Sequence, residues 1–268
     1  MLKYLFLIIL CNSLLPVTSA KEITEKEYLK ADSALWNDYE FQQNLIWNKI
    51  TENPEKRDSL RRELDLLLKK TLVTNKELAI KYSSTPSGLQ RVFMVRNDIE
   101  KTRLKNIYEN LPDTMKSMPY SLLLKEYIDA DQLKEGDFFV PFECYLPNGS
   151  LYDWKDTNNR KILLVFSGLG CVGPDGRDII KQWKDAGWII IDYQVVNNLD
   201  QLKEQANIYD LGIISVADFK GEASPMKIKY NAQSMPTCYL IDENGIIKMI
   251  TIGLTNKLID AMGVKLEF

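Results

Sequence analysis

Residues 230–247 have the sequence Tyr-Asn-Ala-Gln-Ser-Met-Pro-Thr-Cys-Tyr-Leu-Ile-Asp-Glu-Asn-Gly-Ile-Ile, and they predict a β-hairpin near the end of the chain. Apolar runs at Thr237–Ile241 and residues 246–251 flank Asp242-Glu-Asn-Gly245, and an Asn-Gly pair between two such runs favours a turn between paired strands. Pro236 stands directly before the first strand, a position that tolerates proline. The sequence therefore predicts two antiparallel strands here.

The chain before this hairpin predicts alternating strands and helices. Ile162–Phe166 is a continuous apolar run, as expected of a central strand buried on both faces. Four segments follow it in the order helix, strand, helix, strand, and a last helix follows the hairpin: about residues 175–186, 188–193, 199–209, 211–216 and 256–262. This order predicts a mixed sheet between helices.

Residues 22–131 predict an all-helical region, because they are rich in Leu, Lys and Glu and poor in glycine. Four leucines recur at helical spacing and predict a buried stripe: Leu60, Leu64, Leu67 and Leu68. Asn53-Pro54 predicts the start of that helix, and another helical segment is predicted over about 87–110. A helical domain that packs its own stripes is favoured over a groove for a partner. The predicted division is a helical domain at 21–133 and an α/β domain at 134–268.

The first twenty residues predict a secretion signal. Lys3 supplies a positive charge, residues 5–10 form an apolar run, and Thr18-Ser-Ala20 has the small residues of a cleavage site. The run is too short to span a membrane, which takes about 20 apolar residues. We therefore expect cleavage near Ala20 and an exported chain, periplasmic or extracytoplasmic, with no spanning segment in its mature part. A lipoprotein anchor at Cys11 is the alternative.

Charge and composition exclude several function classes. The 34 basic and 37 acidic residues give a net charge of −3, which provides no basic field for nucleic acid. The chain has no histidine, which excludes Ser-His-Asp and Cys-His catalysis and histidine-bound zinc. After signal cleavage three cysteines remain, Cys144, Cys171 and Cys238, and no two have the C-x-x-C spacing of a dithiol or zinc motif. No metal or cofactor is predicted.

The loop after Ile162–Phe166 has a second interpretation. Gly168, Gly170 and Gly173 form a G-x-G-x-x-G pattern between a strand and a helix, and Asp192 follows at the end of the next strand, as in a dinucleotide-binding fold. Only 95 residues follow Gly173, which is few for a six-strand parallel sheet, and the terminal hairpin is antiparallel. The nucleotide interpretation is therefore disfavoured.

Residues 230–247 resemble the segment around the cis-proline of thioredoxin-fold proteins, in which a tyrosine, Pro-Thr, an apolar strand ending in Ile-Asp and a glycine turn follow one another. Residues 134–154 resemble the lead-in hairpin of the exported TlpA-like and ResA-like branch, and the helical front half is similar to the N-terminal extension of some exported members. The resemblance covers about residues 134–268. It implies an α/β fold with a thioredoxin-like mixed sheet sandwiched by helices, preceded by an all-helical N-terminal domain.

The same resemblance implies a site. Cys171 occupies the position of the nucleophile in the family's W-C-x-x-C motif, where amides at a helix start stabilise the thiolate. Pro174 stands in place of the resolving cysteine, Gly170 in place of the tryptophan, and Val165 in place of the buried acid that assists proton transfer. The resemblance therefore implies thiol–disulfide exchange through a single cysteine, impaired by the loss of its partner thiol.

Further roles follow from the resemblance. Pro236 has the cis-proline role beside Cys171, and its neighbours Met235 and Thr237 are the predicted contacts for an extended peptide. Cys238 is predicted to pack in the core, with a disulfide to Cys171 as the alternative that would make it a second thiol. The remaining mature cysteine, at 144, is predicted to be structural or partly exposed.

We therefore predict an exported thioredoxin-like protein whose partners are protein thiols or extended peptide segments. A non-catalytic module of the same fold that binds proteins or peptides is the alternative, and a fast-reacting Cys171 thiol would distinguish exchange from binding. A peroxiredoxin is disfavoured, because its Pro-x-x-x-Thr-x-x-Cys motif needs a proline and a threonine where this chain has Leu164 and Gly168.

Overall fold

The computed structural model describes three stretches of the chain: residues 23–169, 174–208 and 212–263. These residues form two compact units, one within residues 1–95 and the other within residues 96–268. The predicted signal segment and the predicted nucleophile Cys171 both lie outside the described residues.

From residue 23 onward, the first unit contains three α-helices: α1 (Glu25–Glu52), α2 (Arg57–Lys81) and α3 (Pro86–Met94). Thr24 and Thr85 begin α1 and α3, because each hydroxyl oxygen accepts a hydrogen bond from a backbone N–H three residues later, at 3.2 Å. The predicted helix start at Asn53-Pro54 is wrong in detail. Asn53 ends α1 by donating from its side chain to the Lys49 carbonyl at 3.2 Å, and Pro54 opens a short 3₁₀ turn before α2. Neither α1, α2 nor any other described helix is long and apolar enough to cross a membrane.

Three further helices open the second unit: α4 (Lys101–Glu109), α5 (Asp113–Lys116) and α6 (Pro119–Asp129). The helix predicted over 87–110 is therefore divided, and the break contains the buried Arg96. The Arg96 guanidinium donates to the Lys227 carbonyl at 3.0 Å and lies 5.0 Å from the centre of the Tyr127 ring. This long-range contact holds Arg96 in place between α3 and α4, where the predicted helix is interrupted. The domain division predicted at residue 133 stays a prediction.

A five-stranded mixed sheet with the order β3-β2-β1-β4-β5 forms the centre of the second unit. Its strands are β1 (Ile162–Phe166), β2 (Ile189–Tyr193), β3 (Ile214–Val216), β4 (Thr237–Ile241) and β5 (Ile247–Ile252). β1, β2 and β3 are parallel, whereas β4 is antiparallel to both β1 and β5. The predicted antiparallel hairpin, β4 with β5, is confirmed. The nucleotide interpretation is wrong, because its fold requires a parallel strand where β4 lies.

Both faces of the sheet are covered, since every residue of β1 is buried. The covering helices are α7 (Pro174–Asp185), α8 (Leu199–Ile208), α9 (Pro225–Ile228) and α10 (Asn256–Ala261). Val165 packs in a core with Ile180 of α7 and Leu258 of α10. Phe166 packs on the opposite face in an aromatic core that contains Trp154, Tyr193, Tyr230 and Tyr239. The predicted class, an α/β fold with a thioredoxin-like mixed sheet between helices after a helical region, is confirmed.

Candidate functional site

The carboxyl ends of β1 and β2 and the amino end of β4 meet at one edge of the sheet. Phe166, the last residue of β1, is opposite Tyr193 of β2 on one side and Thr237 of β4 on the other. Just beyond β1, the Ser167 N–H donates to the Tyr193 carbonyl at 2.8 Å. The loop after β1 and the loop before β4 therefore leave the sheet side by side, and they contain the predicted site residues.

Gly168 lets the loop after β1 approach the segment before β4. Its φ is +91°, and a Cβ built on it would lie 3.1 Å from the Pro236 nitrogen and 3.3 Å from the Met235 carbonyl carbon. A residue with a side chain would be strained by the backbone angle, and this backbone would have to move by a few tenths of an ångström to admit its Cβ. The Met235–Pro236 peptide bond is cis. The described part of the loop that leads to Cys171 therefore lies directly against Pro236.

The predicted nucleophile is in residues 170–173, which are outside the described part of the chain. On the amino side of this segment, Leu169 is buried in the core that also contains Cys238. On its carboxyl side, α7 begins at Pro174, and proline suits the first turn of a helix. The role of Cys171 and its position opposite Pro236 stay predictions.

The two neighbours of Pro236 differ in exposure. Met235 is 55% exposed, so it is accessible to a peptide. Thr237 is buried, and its hydroxyl donates to the Ser234 carbonyl at 2.7 Å. Any contact between a substrate and Thr237 would therefore have to use the backbone, because the side chain is engaged inside the protein. Their peptide-binding roles stay predictions.

Cys144 and Cys238 are free thiols, and both are completely buried. Burial raises the pKa of each to about 12. Since the thiolate is the reactive form of cysteine, neither residue is a good nucleophile near neutral pH. Cys238 packs in the core as predicted, and Cys144 is buried rather than partly exposed. A role for Cys238 as a second thiol would require β4 to open.

Val165 stands in place of the buried acid that the resemblance implies, but the neighbouring strand provides a buried acid. Asp192 of β2 is opposite Val165, which is in turn opposite Cys238 of β4. Gln194 donates to one carboxyl oxygen of Asp192, and the other oxygen has no hydrogen-bond partner within the described ranges. Burial raises the pKa of Asp192 to about 8. The sequence signal for this residue was an acid at the end of the apolar run Ile189-Ile-Ile, but only strand pairing shows which residue it faces.

Asp192 is expected to make the protein less stable as the pH rises. Its carboxyl group loses its proton near pH 8 in the folded protein but near about pH 4 in the unfolded chain, so its stabilising contribution is complete at low pH and is lost as the pH rises through about 8. We expect Asp192→Asn to flatten the fall in unfolding free energy between about pH 5 and pH 8, measured with guanidinium chloride. An equal fall in wild type and variant would contradict the assignment.

A buried polar network supports the same edge of the sheet. Asp218, two residues after β3, accepts hydrogen bonds from the Tyr193 hydroxyl at 2.7 Å and from the Ser224 hydroxyl at 2.6 Å. The Lys220 N–H adds a third at 2.9 Å. Burial raises the pKa of Tyr193, which keeps its hydroxyl protonated and able to donate. The network connects the end of β2 to the segment that leads through α9 toward Pro236.

Part of this chain is similar to known proteins. No protein-family model matches the chain. The thioredoxin-like protein YneN of Bacillus subtilis (strain 168) is 26% identical over 132 residues, which cover 47% of this chain and 75% of YneN. A solved thiol-disulfide oxidoreductase from Bacteroides fragilis NCTC 9343 aligns with 20% identity and a TM-score of 0.39, over 48% of this chain and 99% of that one. A thiol peroxidase from Chromobacterium violaceum aligns with 14% identity and a TM-score of 0.40, over 50% of this chain and 85% of that one.

The strand order and pairing are those of a thioredoxin-like fold. The similarity to YneN shows that the resemblance is present in the sequence as well as in the fold. The predicted family-level resemblance is therefore confirmed.

Proposed function

We propose that this chain is an exported thioredoxin-like protein that exchanges disulfides with protein thiols through Cys171. The observation that supports it most is the approach of Gly168 to Pro236, because it brings the loop that leads to Cys171 to the same edge of the sheet as the exposed Met235. The other two cysteines of the predicted mature chain are buried thiols whose pKa is about 12. Cys171 is then the thiol that can supply a nucleophile.

The exchange begins with attack of the Cys171 thiolate on a substrate disulfide. A bond forms between the Cys171 sulfur and one substrate sulfur, the substrate S–S bond breaks, and the other substrate sulfur leaves as a thiolate that takes up a proton. The positive end of α7 favours the Cys171 thiolate, and Asp192 serves as the buried acid that Val165 cannot be. Because Pro174 offers no sulfur, an external thiol must attack the mixed disulfide to release the protein.

An extended peptide pairs with the backbone beside Pro236 in this proposal. The exposure of Met235 supports that contact. The partners are protein thiols or extended peptide segments. The chain meets them outside the cytoplasm, after cleavage near Ala20, in a compartment where disulfides persist.

Insulin reduction by dithiothreitol tests the proposal. We expect the protein to add little to the background rate, because every turnover must wait for an external thiol to break the mixed disulfide. The rate is measured as the turbidity of the released insulin chains.

Three cysteine variants make this assay decisive. Cys171→Ser should remove whatever rate the protein adds, whereas Cys144→Ser and Cys238→Ser should leave it unchanged. Robust turnover that persists in Cys144→Ser and Cys238→Ser would contradict the single-thiol mechanism. The mixed disulfide at Cys171 would then be broken rapidly with no second thiol in the protein. Turnover lost only in Cys238→Ser would instead identify Cys238 as a second thiol.

A further inference from the structure

The helical unit contains a long arm that has only two helices. The 28 residues of α1 and the 25 residues of α2 extend to about 42 and 38 Å, whereas the nine residues of α3 cover about 13 Å. α3 contacts the first turns of α1, where the Ser87 N–H donates to Glu25 at 3.2 Å and Arg91 pairs with Asp32 at 3.5 Å. The arm, residues 36–73, extends beyond these contacts.

The arm has a small core of its own. A single row of side chains joins the two helices: Ile46, Ile50, Leu60, Leu64 and Leu67. Pairing of the end of α1 with the start of α2 makes the helices antiparallel. A layer of two helices buries one stripe of each helix, and stable helical domains add a second layer.

Both flanks of the arm expose large apolar side chains, and Leu45 and Leu66, each one residue before an inward-facing residue, lie on one of them. The other flank carries a tryptophan and two leucines. Leu68 and Leu72 follow the inward-facing Leu67 and the buried Thr71 by one residue each, and Trp47 follows Ile46 by one residue. One residue is a rotation of about 100°, and in antiparallel helices equal rotations lead to the same flank. Trp47, Leu68 and Leu72 therefore share what we call the open flank, with exposures of 43%, 38% and 46%. The predicted buried stripe is wrong at Leu68, which belongs to this flank.

The two helices of the arm have opposite charge. α1 contains three basic and six acidic residues, a net charge of −3, and α2 contains seven basic and four acidic residues, a net charge of +3. On the open flank, Glu40 lies seven residues before Trp47, whereas Arg61 and Asp65 lie seven residues before Leu68 and Leu72. The flank is thus apolar in its centre, with an acid on α1 and both signs on α2, and the opposite net charges belong to the two helices as wholes.

We propose that a second copy of this chain docks on the open flank, so that two α1–α2 hairpins form a symmetric four-helix bundle. A two-fold interface uses the same surface on both copies. With the two-fold axis along the helices, α1 of one copy lies against α2 of the other, and the acidic helix meets the basic helix twice. The contact buries the three apolar side chains of each copy and completes the missing layer.

Sedimentation velocity of the full chain over a range of concentrations tests this interface. We expect a reversible dimer with a dissociation constant of about 10 µM or less. Leu68→Glu should raise that constant at least about 100-fold, because it buries a charge in the interface. Leu66→Glu is the matched control: Leu66 is a leucine of the same helix, 66% exposed, and it lies off the open flank.

The control should change the dissociation constant by less than about threefold. Circular dichroism of both variants distinguishes loss of dimer from loss of fold. A wild-type chain that stays monomeric up to about 100 µM would overturn the proposal, as would equal weakening by the two variants. Binding of the monomer to anionic lipid vesicles, or to another protein, through this flank would also overturn it.

Discussion

Replacing Asp218 with alanine is expected to lower the free energy of unfolding by about 3–5 kcal/mol. The substitution removes the acceptor for the buried Ser224 hydroxyl and the Lys220 N–H, and one of two acceptors for the Tyr193 hydroxyl, whose other acceptor is the Ser224 oxygen at 2.9 Å. Each donor left without a partner in the core costs about 1–3 kcal/mol. Guanidinium unfolding followed by circular dichroism measures the loss.

Two controls separate this network from a general effect of losing a carboxylate. Asp218→Asn keeps one acceptor oxygen of similar shape, so its loss should be about half as large. Asp200→Ala removes a carboxylate that is 94% exposed, and its effect should stay within about 0.5 kcal/mol. If Asp218→Ala cost no more than Asp200→Ala, the network would not support this edge of the sheet.

The substitution Gly168→Ala is expected to cost about 3 kcal/mol. Part of this loss arises from the φ of +91°, and the rest from a methyl group placed 3.1 Å from the Pro236 nitrogen. Both the loop after β1 and the segment before β4 must move to admit it. The loss is measured by guanidinium unfolding.

Gly187 offers a matched control, because its φ is +87° and a Cβ there would meet nothing within 4 Å. Gly187→Ala should therefore cost about 1–2 kcal/mol, the price of the backbone angle alone. A cost for Gly168→Ala no greater than for Gly187→Ala would contradict the close approach to Pro236.

The parts of the fold that rest on local signals were predictable from sequence. Asp242-Glu-Asn-Gly245 specifies the turn between β4 and β5, and the unbroken apolar run of β1 indicates a central strand. Because each of these signals lies within a few consecutive residues, it can be recognised without knowledge of the tertiary structure.

Features that depend on distant residues were missed or wrong. Arg96 breaks the helix predicted over 87–110, and its hydrogen-bond acceptor is the carbonyl of Lys227, 131 residues away. Asp192 becomes a buried neighbour of Val165 only when β1 and β2 pair. Leu68 fits a helical stripe by spacing, yet helix packing turns it outward. Burial by a remote element leaves no local periodic signal in the sequence.

The central claim is that Cys171 is the reactive thiol of this domain, and site-resolved thiol reactivity tests it most directly. The full chain is treated near neutral pH with an aromatic disulfide reagent, and the modification of each cysteine is followed by peptide mass spectrometry over time. We expect a mixed disulfide at Cys171 to form at least about 100-fold faster than at Cys144 or Cys238, whose pKa values are about 12. A Cys171 that reacts no faster than these buried thiols would contradict exchange and favour the non-catalytic binding module.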